Sequence, residues 1–260
     1  MAPHGRPTSR SSRRASSVAV MQADLAGARI KATMTYDFQR REQELAASAA
    51  DELPLLPLAL NAVEFVAGLL NELPAVDLHD PPTGAECRKI TVFQLAALSV
   101  RTCSAIVALI RIGYEPESHT LKRRSAECLD RVTAVVADTS GEAARQWLAG
   151  RGRTPRSTAQ RHGSVKAFDF YSQSAHALGS GVAHLWNPPM SVPVDASIRS
   201  LVITPFRDRM RANALLFDAA YELGAIASGI AEVYSIAVLI PAEVASALKS
   251  GREWLEANRP

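Results

Sequence analysis

Between residue 50 and the C-terminus, prolines fall at the edges of long apolar stretches and not inside them. Proline lacks an N–H and clashes with the preceding turn, so it stops a helix or opens one. The stretches left intact carry apolar residues at intervals of three and four. Phe93, Ala96, Ala97, Val100, Ser104, Val107 and Ile110 keep that period in one stretch, and Leu121, Ser125, Cys128, Leu129, Val132, Val135 and Val136 keep it in the next. Strand signals are too few for a sheet, with one short strand at most at Leu201 to Ile203. The expected fold is therefore all-α, a single helical bundle of about seven to eight helices.

The boundaries follow from the same punctuation. An Ala-, Gln- and Glu-rich helix is expected from 18 to 50, then a break at Pro54 and Pro57 and a second helix from Leu58 to Leu73, ended by Pro74. A loop runs to Cys87, and Thr91 is the expected N-cap of a third helix that Gly113 closes as a C′ residue. Pro116 opens the fourth helix, a short one covers 141 to 149, and residues 150 to 163 form a loop with four arginines. A sixth helix is expected from 165 to 186, a long one from Thr204 to Ile240, and a last one from Pro241. Residues 1 to 17 are mostly Ser, Arg and Pro and bury too little to offset their ordering entropy, so a disordered tail precedes a helical domain at 18 to 260, and Met21 is an alternative start.

Composition removes several classes of function. The formal net charge is +3, yet Arg6, Arg10, Arg13 and Arg14 lie in the first 20 residues with no acid among them, so the remainder is close to neutral and offers no general basic face. Cys87, Cys103 and Cys128 form no CxxC pair and suit a reducing compartment, hence a cytoplasmic expectation. No apolar signal region follows the N-terminal arginines. The most apolar later stretches contain Arg101, or Asp218, Glu222 and Glu232, charges that a bilayer core disfavours, so neither a membrane-spanning segment nor a membrane partner is expected. Phosphate-loop, dinucleotide and metalloprotease motifs are missing from the sequence, and Asp77, His79 and Asp80 lack a fourth ligand. No cofactor or metal is expected.

The chemistry-bearing residues fall in two clusters. If helices three and four fold back near Tyr114, Arg101 and Glu127 come level, and Arg101 is flanked on its own helix by Ala97, Leu98, Ser104 and Ala105. That predicts a partly buried arginine facing Glu127, with Arg124 and Arg131 on the carboxylate's own face. Such a group is either an ion-pair network that fixes the hairpin or an arginine-rich pocket for an anion. The second cluster, Tyr171, Ser174 and His176 with His184 further on, lies on the sixth helix. His176 borders its apolar stripe and is either a hydrogen-bonded border residue or a general base.

The R-x-x-E of Arg124 and Glu127, preceded by an arginine-bearing helix and followed by the Y-x-x-S-x-H of Tyr171, Ser174 and His176, resembles a group of uncharacterised bacterial all-helical families. Some of these are similar to abortive-infection proteins and, more distantly, to the HEPN nucleases, and the resemblance covers about residues 91 to 186. The resemblance implies RNA or nucleotide as ligand and His176 as the base of a metal-independent cleavage. The chain departs from the HEPN R-x4–6-H pattern: Arg156 and His162 keep the spacing in a Gly/Pro loop, and His176 has no arginine at that distance before it.

Three readings of function remain open. The first is a binding or regulatory module of bacterial defence or mobile-element type, binding a nucleotide, RNA or partner protein through Arg101, Arg124, Glu127, Tyr171 and Ser174. The second is a HEPN-like endoribonuclease, and the third a structural oligomer subunit, for which the long Ala-rich terminal helices would suit a homodimer.

Overall fold

The computed structural model describes residues 38–77, 79–151, 157, 205, 207–238 and 242–258. They form seven helices and no strand: α1 (Phe38–Glu52), α2 (Leu56–Glu72), α3 (Gly84–Ile112), α4 (Glu115–Ala137), α5 (Glu142–Leu148), α6 (Arg209–Tyr234) and α7 (Ala242–Ala257). The all-α expectation holds for these residues. The N-terminal tail, the first part of the expected first helix, the sixth helix, the arginine-bearing loop beyond Arg151 and the possible strand lie outside them.

Local chemistry sets the ends. Pro57 sits in the first turn of α2, where a missing N–H costs nothing. Helix α3 starts earlier than expected, because Thr83 and Glu86 make a reciprocal capping box: the Thr83 hydroxyl accepts from the Glu86 N–H and the Glu86 carboxylate accepts from the Thr83 N–H at 2.8 Å. Thr91 is therefore not a cap but a fully buried residue about two turns further in. Gly113 closes α3 in the left-handed conformation at φ 89°, which favours glycine. At the far end of the chain the long helix opens one turn later than expected, with Asp208 accepting from the Met210 and Arg211 N–H groups.

Helices α2, α3, α4 and α6 bury one continuous apolar layer that includes Val66, Leu95, Val132, Leu223 and Ile226. A second layer, with Leu53, Ile106, Ile110 and Leu216, joins α1 and the start of α2 to α3 and α6. Polar side chains lock the elements where backbone groups run out. The Arg207 side chain, fully buried, donates to the Glu52 carboxylate (2.8 and 3.1 Å), the Ser48 hydroxyl and the carbonyls of Leu45 and Arg111. Asn213 accepts from the Leu55 N–H and donates to the Glu52 carbonyl, bridging the break between α1 and α2. Arg88 caps the end of α4 through the carbonyls of Val135 and Val136.

By length and composition alone, α3 and α6 are each apolar enough to cross a bilayer, against the expectation from their charges. In the bundle they are the two helices with the most extensive packing. Their charged residues divide: Glu222 of α6 turns inward and Arg101 of α3 turns outward.

Candidate functional site

The α3–α4 hairpin carries both the residues singled out from sequence and a cluster that sequence reasoning missed. Its register is the expected one. Cys103 Sγ lies 3.4 Å from Ser125 Oγ, and the two residues are equally distant in sequence from Tyr114. Arg101 and Glu127, also equally distant, are thus level along the hairpin.

They do not face each other. Two residues along an α-helix turn a side chain by about 200°, and Ser99 and Cys103, either side of Arg101, are both buried. Arg101 is accordingly exposed, a correction to the partly buried position expected for it. Glu127 instead takes Arg123, one turn earlier on its own helix, with Nε 2.9 Å from Oε1 and both side chains about a fifth exposed. Arg124 is exposed, and Arg131 is half-buried, its Nε enclosed without a hydrogen bond. Glu127 thus lies on the outer face of α4 with Arg123 paired to it and Arg124 exposed beside it, and Arg101 is exposed on the side of α3 turned away from α4, so the residues form no common pocket inside the bundle.

The interior holds a different set. Five consecutive inward positions in the first half of α4 are polar: Glu115, Ser118, His119, Lys122 and Ser125, all buried. Lys122 Nζ and Ser125 Oγ both donate to the carboxylate of Glu222 on α6, one to each oxygen. His119 meets Glu115 at 3.2 Å, and the second Glu115 oxygen accepts from the Asp208 N–H that opens α6. Burial, opposed in part by Lys122 and Ser125, holds the Glu222 carboxyl above the usual carboxylate range, and nearby Asp218 pushes the same way. Burial also pushes the Cys103 thiol up to about 12, despite the Ser125 hydrogen bond that acts against it. Cys103 is therefore a packing thiol and not a nucleophile.

A signal for this cluster exists in the sequence. Glu222 stands three after Ala219 and four before Ile226, on the apolar stripe of α6, and Lys122 stands three before Ser125 on the stripe of α4. A charge on an inward stripe calls for a partner on the facing helix.

Tyr171, Ser174, His176 and His184 lie outside the described residues, as do Arg156 and His162. His79, considered with Asp77 and Asp80 as a weak metal ligand, instead shares its Nδ1 with Glu86. Among the described residues no group of three His, Cys, Asp or Glu side chains is placed to hold a metal ion. Against protein-family models, curated proteins and solved structures, the chain finds no match.

Proposed function

We propose that the chain is a helical binding or regulatory module whose α3–α4 hairpin takes an acidic ligand, a nucleotide or RNA, on its exposed arginines, Arg124 beside Glu127 on α4 and Arg101 on the outer side of α3. The observation that carries this reading is the division of labour among those arginines. Glu127 is ion-paired to Arg123, and Arg101 and Arg124, one on each helix of the hairpin, are exposed with no ion pair among the described residues. Flexible exposed guanidinium groups suit phosphate oxygens, which they meet with two parallel N–H donors. The buried cluster does not compete for this role, because its charges are matched inside the fold. The motif resemblance to bacterial defence proteins supports the same class of ligand.

The test is binding of fluorescently labelled single-stranded RNA and of ATP to the full chain and to an Arg101→Ala/Arg124→Ala variant, at low and high salt. Losing two phosphate contacts should weaken binding by about ten-fold or more and flatten its salt dependence by about two contacts. Equal affinity and equal salt slope in the two proteins would overturn the reading. The same mixtures, incubated with EDTA, also report cleavage: RNA cut by wild type and left intact by His176→Ala would replace the binding module by a metal-independent nuclease.

A further inference from the structure

Among the described residues, one side of helix α3 is left exposed and its charge is of one sign. From Cys87 to Gly113 the chain contains four basic residues, Arg88, Lys89, Arg101 and Arg111, and no acid. The first two are engaged within the fold: Arg88 caps α4, and Lys89 lies 5.7 Å from the centre of the Tyr234 ring. The other two are exposed, on a strip made by Phe93, Ala97, Arg101, Ser104, Ala108 and Arg111. The spacing of three and four puts all six on one side of the helix, along about 27 Å of its length. Phe93 is 40% exposed. Ser104 returns its hydroxyl to the Val100 carbonyl at 2.8 Å, which satisfies the strip's one hydroxyl inside the helix.

We propose that this strip docks α3 flat on an anionic lipid surface, with the exposed Phe93 and Ala108 at the headgroup boundary, Arg101 and Arg111 among the phosphates, and the half-buried Ala97 joining the strip to the core. An apolar strip with interspersed cations and no acid is the pattern of a helix that lies in the interface plane. Crossing the bilayer is a different matter, because α4 packs along α3 and brings Arg123, Arg124, Glu127 and Arg131 to the same depth. A second copy of the chain laid on the strip would bring two further arginines and no carboxylate, so the charge favours an acidic surface over self-association.

The docking goes beyond the ligand binding proposed above and shares Arg101 with it, so the experiment separates the two. The full chain is floated with vesicles of phosphatidylcholine and with vesicles of phosphatidylcholine and phosphatidylglycerol in equal parts. Binding is expected to the anionic vesicles only. It should fall about five-fold for each arginine lost in Arg101→Ala and Arg111→Ala, and Phe93→Asp should abolish it while leaving RNA binding unchanged. Arg124→Ala should do the reverse, weakening RNA binding and sparing the vesicles. Far-ultraviolet circular dichroism confirms that each variant is folded. Absence of flotation with anionic vesicles, flotation unaffected by Phe93→Asp in a folded variant, or a wild-type dimer that Phe93→Asp dissociates would each overturn the proposal.

Discussion

Lys122 and Arg123 are neighbours in sequence, and each holds a glutamate, but they point to opposite sides of α4. Lys122 reaches Glu222 in the interior, where both side chains are at most 8% exposed, and Arg123 reaches Glu127 on the outside, where each is about a fifth exposed. The same kind of contact thus occurs twice within one residue step, in two dielectrics. Inside, removing two charges from water is costly and their attraction is strong, so the pair is sensitive to the loss of either member. Outside, water and salt screen the attraction and the cost of making it is small. The inner pair fixes how α4 sits on α6, and the outer one leaves the neighbouring arginines of the surface free to meet something else.

The largest expected effect is on the inner pair. Glu222→Ala leaves Lys122 and Ser125 buried without their acceptor and should cost about 3–5 kcal/mol of unfolding free energy, read from urea denaturation. Replacing the whole cluster, as Lys122→Met with Ser125→Ala and Glu222→Leu, should restore wild-type stability or exceed it by about 1–4 kcal/mol, because no charge then needs a partner. A triple variant as unstable as Glu222→Ala would mean that the cluster stabilises through packing shape and not through charge matching.

The pH dependence sharpens the comparison through a third glutamate. Glu86 is held down to about 2, first by the His79 side chain and then by the Thr83 N–H. A carboxyl lowered by folding stabilises the native state above its unfolded value near 4.5. That contribution disappears as pH falls toward about 2. Glu222 has the opposite sign: its carboxyl is raised by burial, so its contribution is complete below about 4.5 and is lost as pH rises through its folded value. Unfolding temperature measured against pH should therefore drop on the acid side in wild type, and Glu86→Gln should flatten that limb. Parallel acid limbs in the two proteins would remove Glu86 from the account.

The second half of α4 supplies the apolar contrast, since its inward residues are Cys128, Val132 and Val135. There α6 approaches closely: a Cβ on Gly229 would lie 2.8 Å from Val132 Cγ1 and 3.2 Å from Val136 Cγ2. Valine side chains are stiff, so Gly229→Ala should overpack the contact by about 1–3 kcal/mol. A gain of about 1 kcal/mol in helix propensity acts against this. The expected outcome is a modest fall in unfolding temperature, and a rise would show that the two helices can separate without loss.

How far the sequence could be read follows from the same residues. Proline and glycine punctuation is local and strong, which is why the hairpin, its turn at Gly113 and its register about Tyr114 were legible. Azimuth was not. The alanines and leucine around Arg101 suggest a half-buried place, but alanine is equally at home at the edge of an outer face, and Ser104 is itself exposed while Ala97 is only half-buried. The start of α3 is ambiguous in the sequence because Thr83 and Thr91 each have a box-completing residue three positions later, Glu86 and Gln94, and the structure uses Thr83 with Glu86. Lys122 gives no signal of burial on its own, because a lysine is expected to reach water. Its partner lies 100 residues away on α6, a distance at which sequence spacing carries no information about contact.

The smallest effect tests the outer pair, and with it the claim that the surface around Glu127 is available. Arg123→Ala breaks an i, i+4 contact of 2.9 Å between partly exposed side chains, and should cost about 0.2–1 kcal/mol at low ionic strength, less as salt is added. Glu127 would then be open to Arg124 and Arg131 on the same face, so the carboxylate should draw an arginine from the surface. On the binding reading, this variant should lose little stability but bind RNA more weakly, because one fewer guanidinium is left for phosphate. A stability loss as large as that of Glu222→Ala would place Arg123–Glu127 with the structural pairs and return the outer surface to the architecture of the hairpin.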